Sequence, residues 1–314
     1  VNKDHPNYIK YPSFILGVNA EVIKKILTPN VLDGQNTWYL NDAGADHLWE
    51  LSDDKPNSPR INGHLVIRRR QELEKDSSVL QLLPYTMIGW VDEQTGAVSV
   101  STYYRKKGTG ENRMAQATHG KDADVMSFGW GGHVEMIDIA WKEDGDLDLD
   151  QTIFNNIVRE KAEECIFTDT RTNSEVSIHA LLDDHPLRPQ GYIYDTRNEV
   201  GQHHLAIVNL LVLPAYITVT KREAELMQGP VMTLEELNAN IASFEPWSEI
   251  IVRSHYVNAA AFQESVTALA EQHKEVDYHK LARAAGQAES PADTPSNVVR
   301  EAVLDAAIVK ETAQ

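Results

Sequence analysis

Cysteine is almost absent: Cys165 is the single one among 314 residues. That excludes an intrachain disulfide framework and a cysteine cluster for zinc, and it predicts a reducing compartment. Positive charge is scarce as well, with 29 Lys and Arg against 47 Asp and Glu and a formal net charge of -18. An extended nucleic-acid surface or a membrane footprint needs a basic face, so both are excluded as partners; a nucleotide held by a few arginines and a metal ion is not. No stretch approaches the about 18 consecutive apolar residues of a membrane span, and Val1-Asn2-Lys3-Asp4-His5 lacks the charged-then-apolar pattern of a leader. A soluble, cytoplasmic protein is the expectation. There is no Gly-x-Ser-x-Gly, and Lys107-Gly108-Thr109-Gly110 is not followed by the Gly-Lys-Ser/Thr ending of a phosphate-cradling loop.

What is present is a chain long enough to bury a full core, as one large domain with an appendage. Residue patterns predict strands over 64–68, 85–91 and 97–103, the last two joined by the hairpin loop Asp92-Glu93-Gln94-Thr95-Gly96. Further strands are expected over 125–132, 176–182, 191–194 and 204–214, and the near-continuous apolar character of the last implies burial on both faces. Helices are expected over 20–27, from Asp150 as a cap to about 166, after the capping box Thr233-Leu234-Glu235-Glu236, and over 246–273, 278–285 and 297–312. Residues 106–124 read as a loop, 142–150 as an acidic loop able to gate a site, and 286–296 as a linker. This gives an α/β (α+β) chain with an N-terminal α/β segment (1–61), a central domain (62–252) and a helical C-terminal extension (253–314). An extension of that length could pair protomers as a homodimer.

The densest chemical signal is Arg159-Glu160-Lys161-Ala162-Glu163-Glu164-Cys165. On a helix of about 100° per residue, Glu160, Glu163 and Glu164 fall within an arc of roughly 100°. Ile153, Phe154, Ile157, Val158, Ala162 and Cys165 lie on the other side, so the helix is expected to pack on its apolar face and present acid outward. Three neighbouring carboxylates repel one another, and a hard divalent cation, magnesium or manganese, offsets that repulsion. The competing reading is a solvated acidic face.

Gly131-Gly132, a loop, and then Arg159-Glu160-x-x-Glu163-Glu164 together resemble the signature box of the Nudix hydrolase superfamily. Gln81-Leu82-Leu83-Pro84-Tyr85, Ser127-Phe128-Gly129-Trp130-Gly131-Gly132-His133 and Asn198-Glu199-Val200-Gly201-Gln202-His203-His204-Leu205 extend the likeness to a subgroup of predicted Nudix phosphoesterases, over about residues 62–252. The resemblance implies an α/β/α sandwich around a mixed sheet. It also implies magnesium- or manganese-dependent hydrolysis of a pyrophosphate bond in a small nucleoside-diphosphate-linked substrate. Carried over by position, Glu160, Glu163, Glu164 and the carbonyl of Gly131 would be metal ligands. Glu160 or Glu164 would be the general base, and Arg159 would hold the box together through a carboxylate. Three features depart from the pattern, one being that Cys165-Ile166-Phe167 follows the glutamate pair without the family's glycine. Gln151 stands where the box has a glutamate, leaving Asp138, Asp146, Asp148 or Asp150 as substitutes or the role vacant, and the segment between glycine and arginine is about a dozen residues longer than usual.

Arg69, in the basic run Arg68-Arg69-Arg70, together with Trp130 and His204, is the candidate substrate contact. For each the plainer alternative is a solvated arginine, a core aromatic or a strand histidine. Asp144-Gly145-Asp146-Leu147-Asp148 lacks the glycine and terminal glutamate of a calcium loop. The departures from the box favour a second reading, a catalytically silent nucleotide sensor of the same fold, whereas the intact glutamate set favours the hydrolase.

Overall fold

The computed structural model describes residues 14–256 except 27–28, 33–34, 41–63, 93–94, 96, 106–124, 185–186 and 225. The expected loop over 106–124 and the helices beyond residue 256 lie outside the described residues. The chain divides into two units, Val1–Lys274 and Glu275–Gln314, and every described residue belongs to the first.

The fold is mixed α+β and mostly sheet. Its strands are β1 (Phe14–Asn19), β2 (Pro29–Leu32), β3 (Gln35–Leu40), β4 (Leu65–Arg69), β5 (Val79–Val91), β6 (Val98–Arg105), β7 (Val125–Ser127), β8 (Gly129–Trp130), β9 (Ala140–Trp141), β10 (Leu147–Asp148), β11 (Cys165–Asp169), β12 (Ser174–Val176), β13 (Arg188–Asp195), β14 (His204–Leu213), β15 (Ile217–Lys221) and β16 (Leu226–Thr233). The helices are α1 (Ala20–Ile26), α2 (Arg70–Leu73), α3 (Leu149–Glu164), α4 (Ile178–Asp184), α5 (Leu234–Ala239) and α6 (Pro246–Tyr256). None of the described helices is long and apolar enough to cross a membrane.

The main sheet runs β16-β6-β5-β14-β13-β3-β2, with β1 joining β5 and carrying β4 beyond it. β14 is buried along its whole length and pairs in parallel with β5, from His204 opposite Gln81 to Leu213 opposite Trp90. Neighbours on both sides and helices over both faces explain its unbroken apolar run. Alternation then sorts the side chains. Leu80 and Leu82 of β5 with Leu205 and Ile207 of β14 meet Ile23 of α1 and Leu149, Ile153 and Ile157 of α3. Tyr85 and Met87 with Ala206, Val208 and Leu210 meet Leu237 of α5 and Trp247, Ile250 and Ile251 of α6.

Several expected elements change. β1 is a buried strand to which the sequence patterns assign no element, and β5 begins at Val79 rather than residue 85. Residues 178–184 form a helix, not a strand: Ser177 Oγ accepts the Ala180 N–H, and Ile178, Leu181 and Leu182 recur at helical spacing on the buried side. α3 is capped by Asp148, not Asp150, through the Gln151 N–H, and it ends at Glu164 because Cys165 starts β11. The capping box at Thr233 and Glu236 forms as read.

α6 is anchored by a buried polar knot. Tyr85 Oη donates to Glu245 Oε1 at 2.5 Å and lies 2.6 Å from Ser248 Oγ, while Glu245 accepts the N–H groups of Trp247 and Ser248 at 2.8 and 2.9 Å. Removing the phenol leaves a buried carboxylate short of a donor. Tyr85→Phe is expected to cost about 2–3 kcal/mol of stability, read from urea unfolding; a loss below about 0.5 kcal/mol would show the knot to be unimportant.

Candidate functional site

α3 presents one continuous buried stripe, Leu149, Thr152, Ile153, Asn156, Ile157, Lys161 and Glu164, at the i, i+3, i+4 spacing of a helix face. The stripe is hydrocarbon at its start and charged at its end, so the boundary between core and site falls within a single helix. This overturns the expectation that the acid points outward. Glu164 is buried and Glu160 is 13% exposed, leaving Glu163 as the solvent-facing member at 47%. Phe154 and Ala162, expected on the packed side, are exposed instead.

Two glycines make room for this arrangement. Gly131 has φ +149°, and a Cβ there would lie 2.0 Å from the Pro84 carbonyl oxygen. At Gly132 a Cβ would come within 2.7 Å of Glu160 Oε1, so the carboxylate rests directly against this backbone.

The loop between Gly132 and α3 is tied to the helix by Arg159. Its Nε donates to Asp138 Oδ1 at 2.8 Å and its Nη2 to Asp138 Oδ2 at 2.9 Å, with a further bond from Nη2 to the His133 carbonyl at 3.1 Å. Asp138 is buried and also accepts from the Glu135 N–H and from Asn156 Nδ2, which bonds the His133 carbonyl as well. Of the acids left open by the sequence, Asp138 is therefore the one that meets Arg159. Gln151 faces Asn155 on the exposed side of the helix. Burial works against the Arg159 charge, but its hydrogen bonds to Asp138 and the negative charges of Glu160, Asp138 and Glu135 more than offset this, and its pKa is raised.

The remaining Arg159 nitrogen, Nη1, reaches Glu160 Oε1 at 2.8 Å and Glu163 Oε2 at 3.6 Å. Burial nevertheless pushes the Glu160 carboxyl up to about 8, helped by the charges of Glu164 and Glu163 and opposed by Arg159 and Lys161. A hard cation beside it would reverse that penalty, and the donors here are all hard oxygens. Among the described residues no three His, Cys, Asp or Glu side chains are already gathered for one ion. Magnesium commonly takes only one or two carboxylates and completes its shell with substrate phosphate oxygens and water, so the residues present fit it.

The candidate substrate contacts are scattered. Trp130 is fully buried, its ring 4.5 Å from that of Tyr103, and is a core aromatic rather than an open stacking face. Arg69 stands over the Phe14 ring on the β1–β4 ribbon. His204 lies on the sheet face that α6 covers, its Nε2 3.3 Å from His133 Nε2 and its Nδ1 2.6 Å from the Val200 carbonyl. A carbonyl can only accept, so Nδ1 carries the proton, His204 Nε2 is bare when the ring is neutral, and the proton between the rings belongs to His133. Burial pushes the Cys165 thiol well up, which disfavours it as a nucleophile. Lys161, Asn156 and His133 were missed by sequence reasoning; the stripe from Leu149 to Glu164 carried the signal for the first two.

No family model matches the chain, and no curated protein matches it. Among solved structures, the crystal structure of Tm1382, described as a candidate Nudix hydrolase, is similar at 21% identity over 77% of this chain and 97% of that one, with a TM-score of 0.49. So distant a likeness does not bear on the site.

Two outcomes follow from this geometry. Asp138→Asn leaves the Arg159 charge half-buried and underpaired and is expected to cost about 3–5 kcal/mol in urea unfolding. Asp148→Asn exchanges one good cap for another and should stay within about 0.5 kcal/mol; equal losses would deny Asp138 its special role. Burial lowers the His204 pKa from 6.5 to about 4. The unfolded chain therefore binds the extra proton first, and stability is complete above about 6.5 and lost as pH falls toward about 4. Melting temperatures should fall more steeply across that window for the native chain than for His204→Gln, and parallel slopes would contradict the assignment.

Proposed function

We propose that the chain is a magnesium- or manganese-dependent hydrolase of the Nudix type, cleaving a pyrophosphate bond in a small nucleoside-diphosphate-linked substrate. The observation that carries this reading is the clamp of Arg159 on Asp138, which holds the loop after Gly131-Gly132 against α3 and leaves Glu160 seated on Gly132. Helices covering both faces of a mixed sheet are consistent with the sandwich that the sequence resemblance implies.

The oxygen donors available to an ion are Glu160, Glu163, Glu164 and the Gly131 carbonyl. When bound, the ion would neutralise the diphosphate and lower the pKa of a bound water. Glu160 is the residue we assign as general base: it is nearly enclosed, it is oriented by Arg159, and its own proton affinity is set by its surroundings. Arg159 positions rather than reacts, because two of its donor directions are spent on Asp138. The substrate is held outside the clamp, on the side where Glu163 is exposed.

The test is to incubate the purified chain with nucleoside triphosphates, ADP-ribose, NAD(H), dinucleoside polyphosphates, coenzyme A and capped RNA, each with magnesium or manganese, and to identify products by mass. Cleavage within a diphosphate linkage is expected, falling by about 10²–10⁴-fold in Glu160→Gln. Turnover of none of them, or full turnover by Glu160→Gln, would refute the reading, and tight binding without cleavage would point to the sensor.

A further inference from the structure

Among the described residues Lys161 is the only Lys or Arg that is fully buried. An ammonium has three donors, yet the hydrogen bond it makes is a long one, 3.5 Å to Glu164 Oε2. Gly131 is also close, and a Cβ there would sit 3.8 Å from Nζ. A buried charge without close partners is costly, so its neighbours must balance it electrostatically.

The tally of charge around it is informative. Asp138, Glu160, Glu163 and Glu164 carry four negative charges when ionised and Glu135 adds to the field on Arg159, against two positive charges on Arg159 and Lys161, so the cluster keeps an excess of negative charge that a divalent ion would offset. Proton transfer within the Lys161–Glu164 pair would not change that balance. With no exposed surface, Lys161 cannot reach a substrate phosphate.

We propose that Lys161 is an internal counter-cation that withdraws Glu164 from the acidic cluster, leaving Glu160 and Glu163 to bind one divalent ion. The inference rests on the metal-dependent reading above and selects among its candidate ligands. Lys161 is accordingly a positioning residue: it decides which carboxylates are free, without touching substrate.

The test is Mn²⁺ binding, measured by calorimetry and by the electron paramagnetic resonance signal of free Mn²⁺, on the native chain, Lys161→Met and Lys161→Met/Glu164→Gln. The native chain is expected to bind one equivalent. Lys161→Met should bind a second equivalent, or the same one roughly tenfold more tightly, because a carboxylate charge is released beside the ion. The double variant should return to native affinity, since the released charge is gone. Native-like binding by Lys161→Met, or a gain that persists in the double variant, would overturn the inference and leave the hydrolase reading standing. If Lys161→Met does not fold, the double variant, with two neutral side chains in place of the buried pair, decides alone: native affinity supports the inference and lost binding overturns it. Absence of Mn²⁺ binding by the native chain would defeat both readings, whatever Lys161→Met binds.

Discussion

The bidentate pair between Arg159 and Asp138 is the constraint on which the candidate site depends, because it is the charged link between the loop after the glycine pair and the long helix, which Asn155, Asn156 and Thr152 join by neutral hydrogen bonds. Asp138 sits in a short helical turn after the glycine pair, and Arg159 is about a turn and a half from the end of the long helix. A guanidinium fork and a carboxylate can meet this way in only one relative orientation, which fixes both ends of the connection. Asn156 and the His133 carbonyl complete the junction, so that the buried acid has few acceptor directions left unused. The long insertion between glycine and arginine is accommodated outside this junction, as the small β9–β10 hairpin and the Asp148 cap.

The same helix shows why the core and the site cannot be varied independently. Its buried stripe begins with Leu149, Ile153 and Ile157 against the sheet and ends with Lys161 and Glu164. The apolar half contributes the packing energy that keeps the charged half from moving into water. Without it, Glu160 and Glu164 would rotate outward to be solvated, and the raised proton affinity of Glu160 would disappear with its burial.

Much of this was legible in the sequence, and the failures have identifiable causes. The strand over His204–Leu213 was readable because an element buried on both faces needs apolar side chains in every direction. The stretch over 176–182 was misread because alternating and helical spacing differ little over so few residues; the serine cap decided the outcome. Glu160, Glu163 and Glu164 were readable as one face, but their direction was not. At about 100° per residue Ile153 and Ile157 fall on the same side as Glu160 and Glu164, so the buried apolar stripe runs on into the acids and the two faces assigned from the sequence were not opposite ones. Asp138 stayed one of several acids because its pairing with Arg159 is a contact across the fold, invisible to local spacing.

The sheet finally separates two kinds of polar burial that the sequence runs together. Val134 turns its side chain toward α3 while its neighbour His133 faces His204 beside α6, so adjacent residues serve opposite faces. On the α3 face the polar groups are charged, mutually opposed and balanced only in part. On the α6 face the Tyr85, Glu245 and Ser248 knot is closed on itself, and burial favours the neutral form of His204. A closed network stabilises a fold and resists change, whereas an incompletely balanced one retains affinity for something outside it. That difference, more than the number of acidic side chains, is the ground for assigning the proposed site to the α3 face.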